Sequence, residues 1–128
     1  MTLTPAATPV AFVQVIDRAR ALAFYQDILG LTLKSSDGFG DFLQFGAGAE
    51  IRMTTLPGWA PGAHPVVGWN VDDIVAAVQA LTAKGVVMKI YEGMGQDAMG
   101  VWTSPDGAAK VAFFPDSEGN LLSLAQAG

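Results

Sequence analysis

Residues 10–30, VAFVQVIDRARALAFYQDILG, decide the fold. Ala11, Val13 and Val15 alternate with Val10, Phe12 and Gln14, the period of two that places successive side chains on opposite faces of a strand. Asp17 follows, a short acceptor able to take the first free amides of a helix. Leu22, Tyr25 and Leu29 then form one helical stripe, widened by Ala21, Phe24 and Ile28, while Arg18, Arg20, Gln26 and Asp27 stay polar. Gly30 supplies the left-handed residue that closes such a helix. The spacing predicts a strand whose one face meets its own helix and whose other face, Phe12 and Gln14, points elsewhere.

The same unit returns about 55 residues later as residues 66–85, VVGWNVDDIVAAVQALTAKG. Val67, Trp69 and Val71 alternate with Val66, Gly68 and Asn70. Asp72 or Asp73 caps the next helix, Ile74, Val78 and Leu81 make its stripe, and Gly85 ends it. Strand, cap, stripe and stop recurring at one offset signal an internal duplication. Two copies are too few for a solenoid, so a domain of two modules is expected.

Outward from these stretches, residues 31–34 start a strand. A hairpin is expected from residues 41–45 and 50–54 around the Gly46-Ala47-Gly48 turn. Residues 57–65, PGWAPGAHP, read as a linker. After the second helix, residues 86–91 are expected to be a strand and residues 92–100 a loop containing glycine and methionine. A short strand at 100–103 and a hairpin of 110–114 with 120–125 complete the chain. This gives one domain over residues 1–128, with module one at 8–55, a linker at 56–65 and module two at 66–126.

Composition narrows the function classes. The chain has 128 residues, 51% hydrophobic and 15% charged, which suits a compact domain with a sizeable core. A net charge of −5 disfavours nucleic acid, whose phosphates need a concentrated basic surface. No basic amphipathic or spanning helix suggests a membrane. With no cysteine, thiolate catalysis, thiolate zinc sites and disulfides are excluded. Residues 1–9 lack a basic start and an apolar run, so a cytoplasmic location is expected. There is no nucleophile elbow, phosphate-binding loop or dinucleotide fingerprint. Asp116 and Glu118 resemble a carboxylate pair, but they belong to a hairpin turn, where such residues serve turn chemistry. His64, in the linker before Pro65, has no placed partner to make it a base.

Val15-Ile16-Asp17, Ala23-Phe24-Tyr25, Ile28-Leu29-Gly30-Leu31, Val71-Asp72-Asp73 and Phe114-Pro115-Asp116 with Glu118-Gly119-Asn120 carry a resemblance. Taken together they are similar to the vicinal oxygen chelate superfamily, which includes glyoxalase I, bleomycin-resistance proteins and extradiol dioxygenases. The resemblance implies an α+β fold of two βαβββ modules whose curved mixed sheet forms a half-barrel, with helices on the outer face and the site on the concave one. It also implies a homodimer. Family enzymes hold a divalent metal through four side chains on the first and last strands of the modules. Counted from the capping aspartates, those places fall here on Val10, Arg52, Val66 and Ser123. Valine has no donor atom and a guanidinium repels a cation. Metal-dependent chemistry is therefore not expected, and no cofactor or catalytic residue is assigned. Gln14, Glu50 and His64 fail as substitutes, because strand rise separates Gln14 and His64 too far for one ion if the modules match.

Strand alternation puts Phe12, Gln14, Arg52, Asn70 and Ser123 on the face opposite the helices. Polar groups on an apolar wall orient a ligand through a few hydrogen bonds. Arg52 stands out, since a cation there can receive an anionic group. Met94, Met99 and Trp102 lie in or after a loop that could close over the ligand; packing or a dimer contact is the plainer role. The expected ligand-binding set is Phe12, Gln14, Arg52, Asn70, Met99, Trp102 and Ser123. The expected function is metal-independent binding of a small molecule, as in drug or metabolite sequestration. The alternative is a lyase, isomerase or dioxygenase with an unconventional site, and a third reading is a structural or regulatory dimer.

Overall fold

The computed structural model describes residues 2–44, 46 and 48–127, and the chain forms two compact units, Met1–Ala60 and Pro61–Gly128. The first unit contains β1 (Val10–Gln14), α1 (Arg18–Ala23) continued by a π-helical turn (Phe24–Ile28), β2 (Thr32–Ser36), β3 (Asp41–Gln44) and β4 (Glu50–Thr54). Its sheet has the order β1-β4-β3-β2, with β1 parallel to β4 and the remaining pairs antiparallel.

The helix starts where the sequence supplies an acceptor: Asp17, in extended conformation, takes the Arg20 amide at 3.1 Å. The periodicity predicts a single α-helix, and here the structure differs. Leu29 N–H reaches back five residues to Phe24 O at 3.2 Å, the widened turn of a π-helix. Ala21, Phe24 and Tyr25 are the buried positions, so the stripe is centred one side of the expected Leu22–Tyr25–Leu29 line. Phe24 and Tyr25 meet edge to face with ring centroids 5.4 Å apart. Gly30, at φ +80°, turns the chain back toward β2. Val13, Val15, Leu43 and Met53 are buried on the sheet side of this core. Burying each such side chain favours folding by about 1.5–3 kcal/mol.

A clasp joins helix to sheet. Asp41, the first residue of β3, is buried at 2% exposure. It accepts from Arg18 Nε at 2.9 Å, Arg18 Nη2 at 3.0 Å and Ser36 Oγ at 2.7 Å. The hydrogen bond from Arg18 holds the Asp41 carboxyl below its ordinary range, against the opposing effect of burial, with help from Ser36. Arg18 is raised in turn, chiefly by the same bond.

The second unit repeats the plan with β5 (Pro65–Asn70), α2 (Ile74–Ala83), β6 (Trp102–Thr103), β7 (Ala109–Pro115) and β8 (Leu121–Ala127). Its order, β5-β8-β7-β6, matches the first, and β5 runs parallel to β8. Each unit is therefore βαβββ, and the chain is an α+β protein with two four-stranded mixed sheets. Asp73 rather than Asp72 caps α2, accepting from Ala76 N at 3.0 Å. Gln126 Oε1 receives the Ile74 amide at 2.7 Å and ties the helix start to β8. Ile74, Val78 and Leu81 are buried along the expected stripe, facing a core that includes Ala112, Phe114, Leu122 and Leu124.

The strand expected at residues 86–91 is absent, apart from an isolated bridge between Lys89 and Phe113. The side-chain amide of Gln96 occupies the backbone groups that a ladder would use. It accepts from Tyr91 N at 2.7 Å and donates to Lys89 O at 2.9 Å and Gly100 O at 2.7 Å. Asp97 adds bonds from Met99 N and Val101 N, both at 2.9 Å. The loop is thus stapled to itself. In the β7–β8 turn, Asp116 Oδ1 accepts from Glu118 N and Asn120 N at 2.8 Å each, the turn chemistry expected of it. Among the described residues no helix is long and apolar enough to cross a membrane.

Candidate functional site

Alternation in the first unit leaves Val10, Phe12 and Gln14 of β1, Glu50, Arg52 and Thr54 of β4, and Phe42 and Gln44 of β3 on the sheet face away from the buried core. The register arranges them in rows: Phe12, Arg52 and Phe42 are direct cross-strand neighbours, and Gln14 lies opposite Thr54. The Arg52 guanidinium carbon sits 5.3 Å from the Phe12 ring centroid and 4.5 Å from that of Phe42, within reach of a cation–π attraction. Arg52 Nε is buried with no hydrogen-bond partner among the described residues. Phe12 is 61% exposed, so an aromatic side chain stands open beside that cation. In the next row Thr54 Oγ1 donates to Gln14 Oε1 at 3.2 Å.

In the second unit the corresponding face carries Val66, Gly68 and Asn70 of β5, Ser123 and Ala125 of β8, Val111 and Phe113 of β7, and Trp102 of β6. Gly68, Ser123 and Phe113 form one row, and Asn70, Ala125, Val111 and Trp102 the next. Gly68 is required by close approach, since a Cβ there would run into Ser123 Oγ and come within 3.0 Å of Ser123 O. Asn70 is exposed, while Trp102 and Ser123 are half-buried. Met99 has different surroundings. It lines a groove of about 670 Å³ beside α2, together with Val78, Thr82, Val86 and Met88. It is therefore not a neighbour of Trp102 and Ser123 in these rows.

The residues present do not fit the metal of the superfamily enzymes. The register pairs Arg52 with Phe12 and not with Val10, and Ser123 with Gly68 and not with Val66. Val10 and Val66 have no donor atom, so the four places offer an ion only a guanidinium and a single hydroxyl. The substitutes have other roles: Glu50 pairs with Lys34 Nζ at 2.6 Å, Gln14 bonds Thr54, and exposed His64 lies 3.0 Å from Pro65 O through Nδ1. No group of three His, Cys, Asp or Glu side chains that could hold an ion occurs among the described residues.

Phe42 is the residue that sequence reasoning missed. Its signal was available, because a hairpin centred on residues 46–48 pairs position 42 with position 52. Phe113 in the second unit holds the matching place opposite Ser123.

The same arrangement of elements occurs in known structures. TnmS3, an antibiotic binding protein from Streptomyces sp. CB03234, is 24% identical with a TM-score of 0.74, covering 100% of this chain and 99% of that one. A glyoxalase/bleomycin resistance protein/dioxygenase from Alicyclobacillus acidocaldarius is 16% identical with a TM-score of 0.74, covering 97% and 93%. Lactoylglutathione lyase from Agrobacterium tumefaciens is 16% identical with a TM-score of 0.72, covering 97% and 96%. No curated protein matches the sequence. The family model of the Glyoxalase/Bleomycin resistance protein/Dioxygenase superfamily matches residues 7–124. That match begins before β1 and ends within β8, so it takes in nearly all of both βαβββ units, and the chain belongs to the Glyoxalase/Bleomycin resistance protein/Dioxygenase superfamily.

Proposed function

We propose that the protein binds a small organic molecule without a metal on its open sheet faces, that of the first unit carrying Phe12, Gln14 and Arg52 and that of the second Asn70, Trp102 and Ser123. The observation that carries this reading is the makeup of those faces. Apolar and aromatic side chains stand exposed there, Phe12 at 61%, Val66 at 44% and Val10 at 36%, with a few polar groups among them. That is the composition of a surface that takes up a ligand by apolar burial and orients it with a small number of polar contacts. The places that would hold a metal, Val10, Arg52, Val66 and Ser123, present aliphatic carbon, a cation and a hydroxyl. Similarity in fold to an antibiotic binding protein over the full length of both chains supports sequestration of a drug or metabolite. We further propose that the protein acts as a cytoplasmic homodimer, which would cover part of the exposed apolar surface.

The test is a panel of planar aromatic compounds, antibiotics among them, followed by tryptophan fluorescence and then by mass analysis of the recovered compound. Saturable quenching, unchanged by EDTA and with the compound recovered at its original mass, is the expected result. Recovery of a compound of altered structure, abolished by EDTA, would replace this reading with that of a lyase, isomerase or dioxygenase.

A further inference from the structure

Among the described residues Arg52 has no carboxylate in ion-pair contact. Three of the seven basic side chains define the contrast within the first unit. Arg18 is clasped by Asp41 at 2.9 Å and Lys34 by Glu50 at 2.6 Å. Arg52 has aromatic rings on two sides, its Nε is buried, and no hydrogen bond satisfies that donor among the described residues. The acid on its own face of β4, two positions earlier, is Glu50, and that carboxylate is turned to Lys34. In a chain with 12 acidic residues and a net charge of −5, a buried guanidinium donor left unmatched is a departure from the general rule that such groups are paired.

The neighbours of this cation indicate what would complete it. Phe12 and Phe42 flank it along one cross-strand row, so their rings offer attraction to the charge but no acceptor for its N–H groups. A guanidinium is a planar fork that takes an oxyanion through two parallel hydrogen bonds. Exposed Phe12 supplies an adjoining surface for a flat apolar body. We propose that the ligand is a planar aromatic molecule bearing an oxyanion, a carboxylate or its equivalent, and that Arg52 is the residue that selects it. The inference rests on the proposed ligand-binding function and names the ligand class for the first unit's face.

A matched pair of probes tests it: 2-naphthoate and the isosteric neutral 2-naphthamide, each titrated calorimetrically into wild-type protein, Arg52→Met and Arg52→Lys. Wild type is expected to favour naphthoate by roughly tenfold or more, since hydrogen bonds to charged groups exceed neutral ones. Arg52→Met, which keeps an apolar stem between the rings, should abolish the preference. Arg52→Lys should retain part of it, as a charge without the planar fork. Equal binding of the two probes by wild type would overturn the selectivity and leave ligand binding standing. A preference that persists in Arg52→Met would assign selection to another group. Failure of wild type to bind either probe would overturn the inference, whereas the function on which it rests falls only if the whole fluorescence panel fails to bind. The wild-type comparison needs no variant, so a misfolded substitution does not leave the point open.

Discussion

Asp41→Asn tests how helix and sheet of the first unit are held together. The carboxylate is 2% exposed and accepts three side-chain hydrogen bonds, two from Arg18 and one from Ser36. Asparagine keeps the volume but replaces one acceptor oxygen with an NH2 group facing donors. Hydrogen bonds to charged groups are worth about 1.5–3 kcal/mol each when buried. The Arg18 side chain is 30% exposed, so solvent screens part of that value. A loss of about 2 kcal/mol is expected for the variant, which at a slope of about 2 kcal/mol/M moves the urea midpoint down by roughly 1 M. The pH dependence has a defined sign. The Asp41 carboxyl is depressed in the folded protein, so its contribution is fully present above the ordinary aspartate value of about 3.9 and is lost as pH falls through the depressed value. Urea curves at pH 7 and at several points below about 4 should therefore converge for wild type and variant as acid is added. Equal stability at pH 7, or a gap that widens in acid, would refute this account of the clasp.

Gly68→Ala should destabilise the protein by about 1–3 kcal/mol in urea unfolding, the usual cost of overpacking, and adding Ser123→Ala should recover part of it, because the added Cβ meets Ser123 Oγ first. Gln96→Ala removes three hydrogen bonds from the loop at residues 89–100; the Tyr91 amide should lose protection in hydrogen exchange while the amides of β7 and β8 keep theirs. Sedimentation velocity at micromolar concentration should show a dimer, and Trp59→Ala should weaken it if that half-buried indole anchors the contact; a monomer throughout would rule out the proposed assembly.

The duplication was legible in the sequence because period-two strands, capping aspartates and terminal glycines are local signals, and each acts within about four residues of its own position. Asp17 caps as its spacing indicates, and of the two candidates Asp72 and Asp73 the second caps α2. What sequence reading lacked depends on partners far along the chain. Whether Arg52 faces Val10 or Phe12 is a two-residue question of parallel register, and both choices keep the same alternation. The strand expected at 86–91 has the right composition, but a single side chain, Gln96, takes the backbone groups its ladder needed. Met99 was readable as a loop methionine, yet the loop's own staples direct it beside α2. Phe42 could have been found by pairing the hairpin symmetrically, and only that step connects it to Arg52.

Native mass spectrometry of freshly purified protein, recorded with and without EDTA, tests metal-independent binding most directly. Incubated with a compound identified by the fluorescence panel, each chain should take up one molecule at unaltered mass, with the same occupancy after chelation. One stoichiometric metal ion per chain in the untreated protein, with the compound released when EDTA removes that ion, would contradict it.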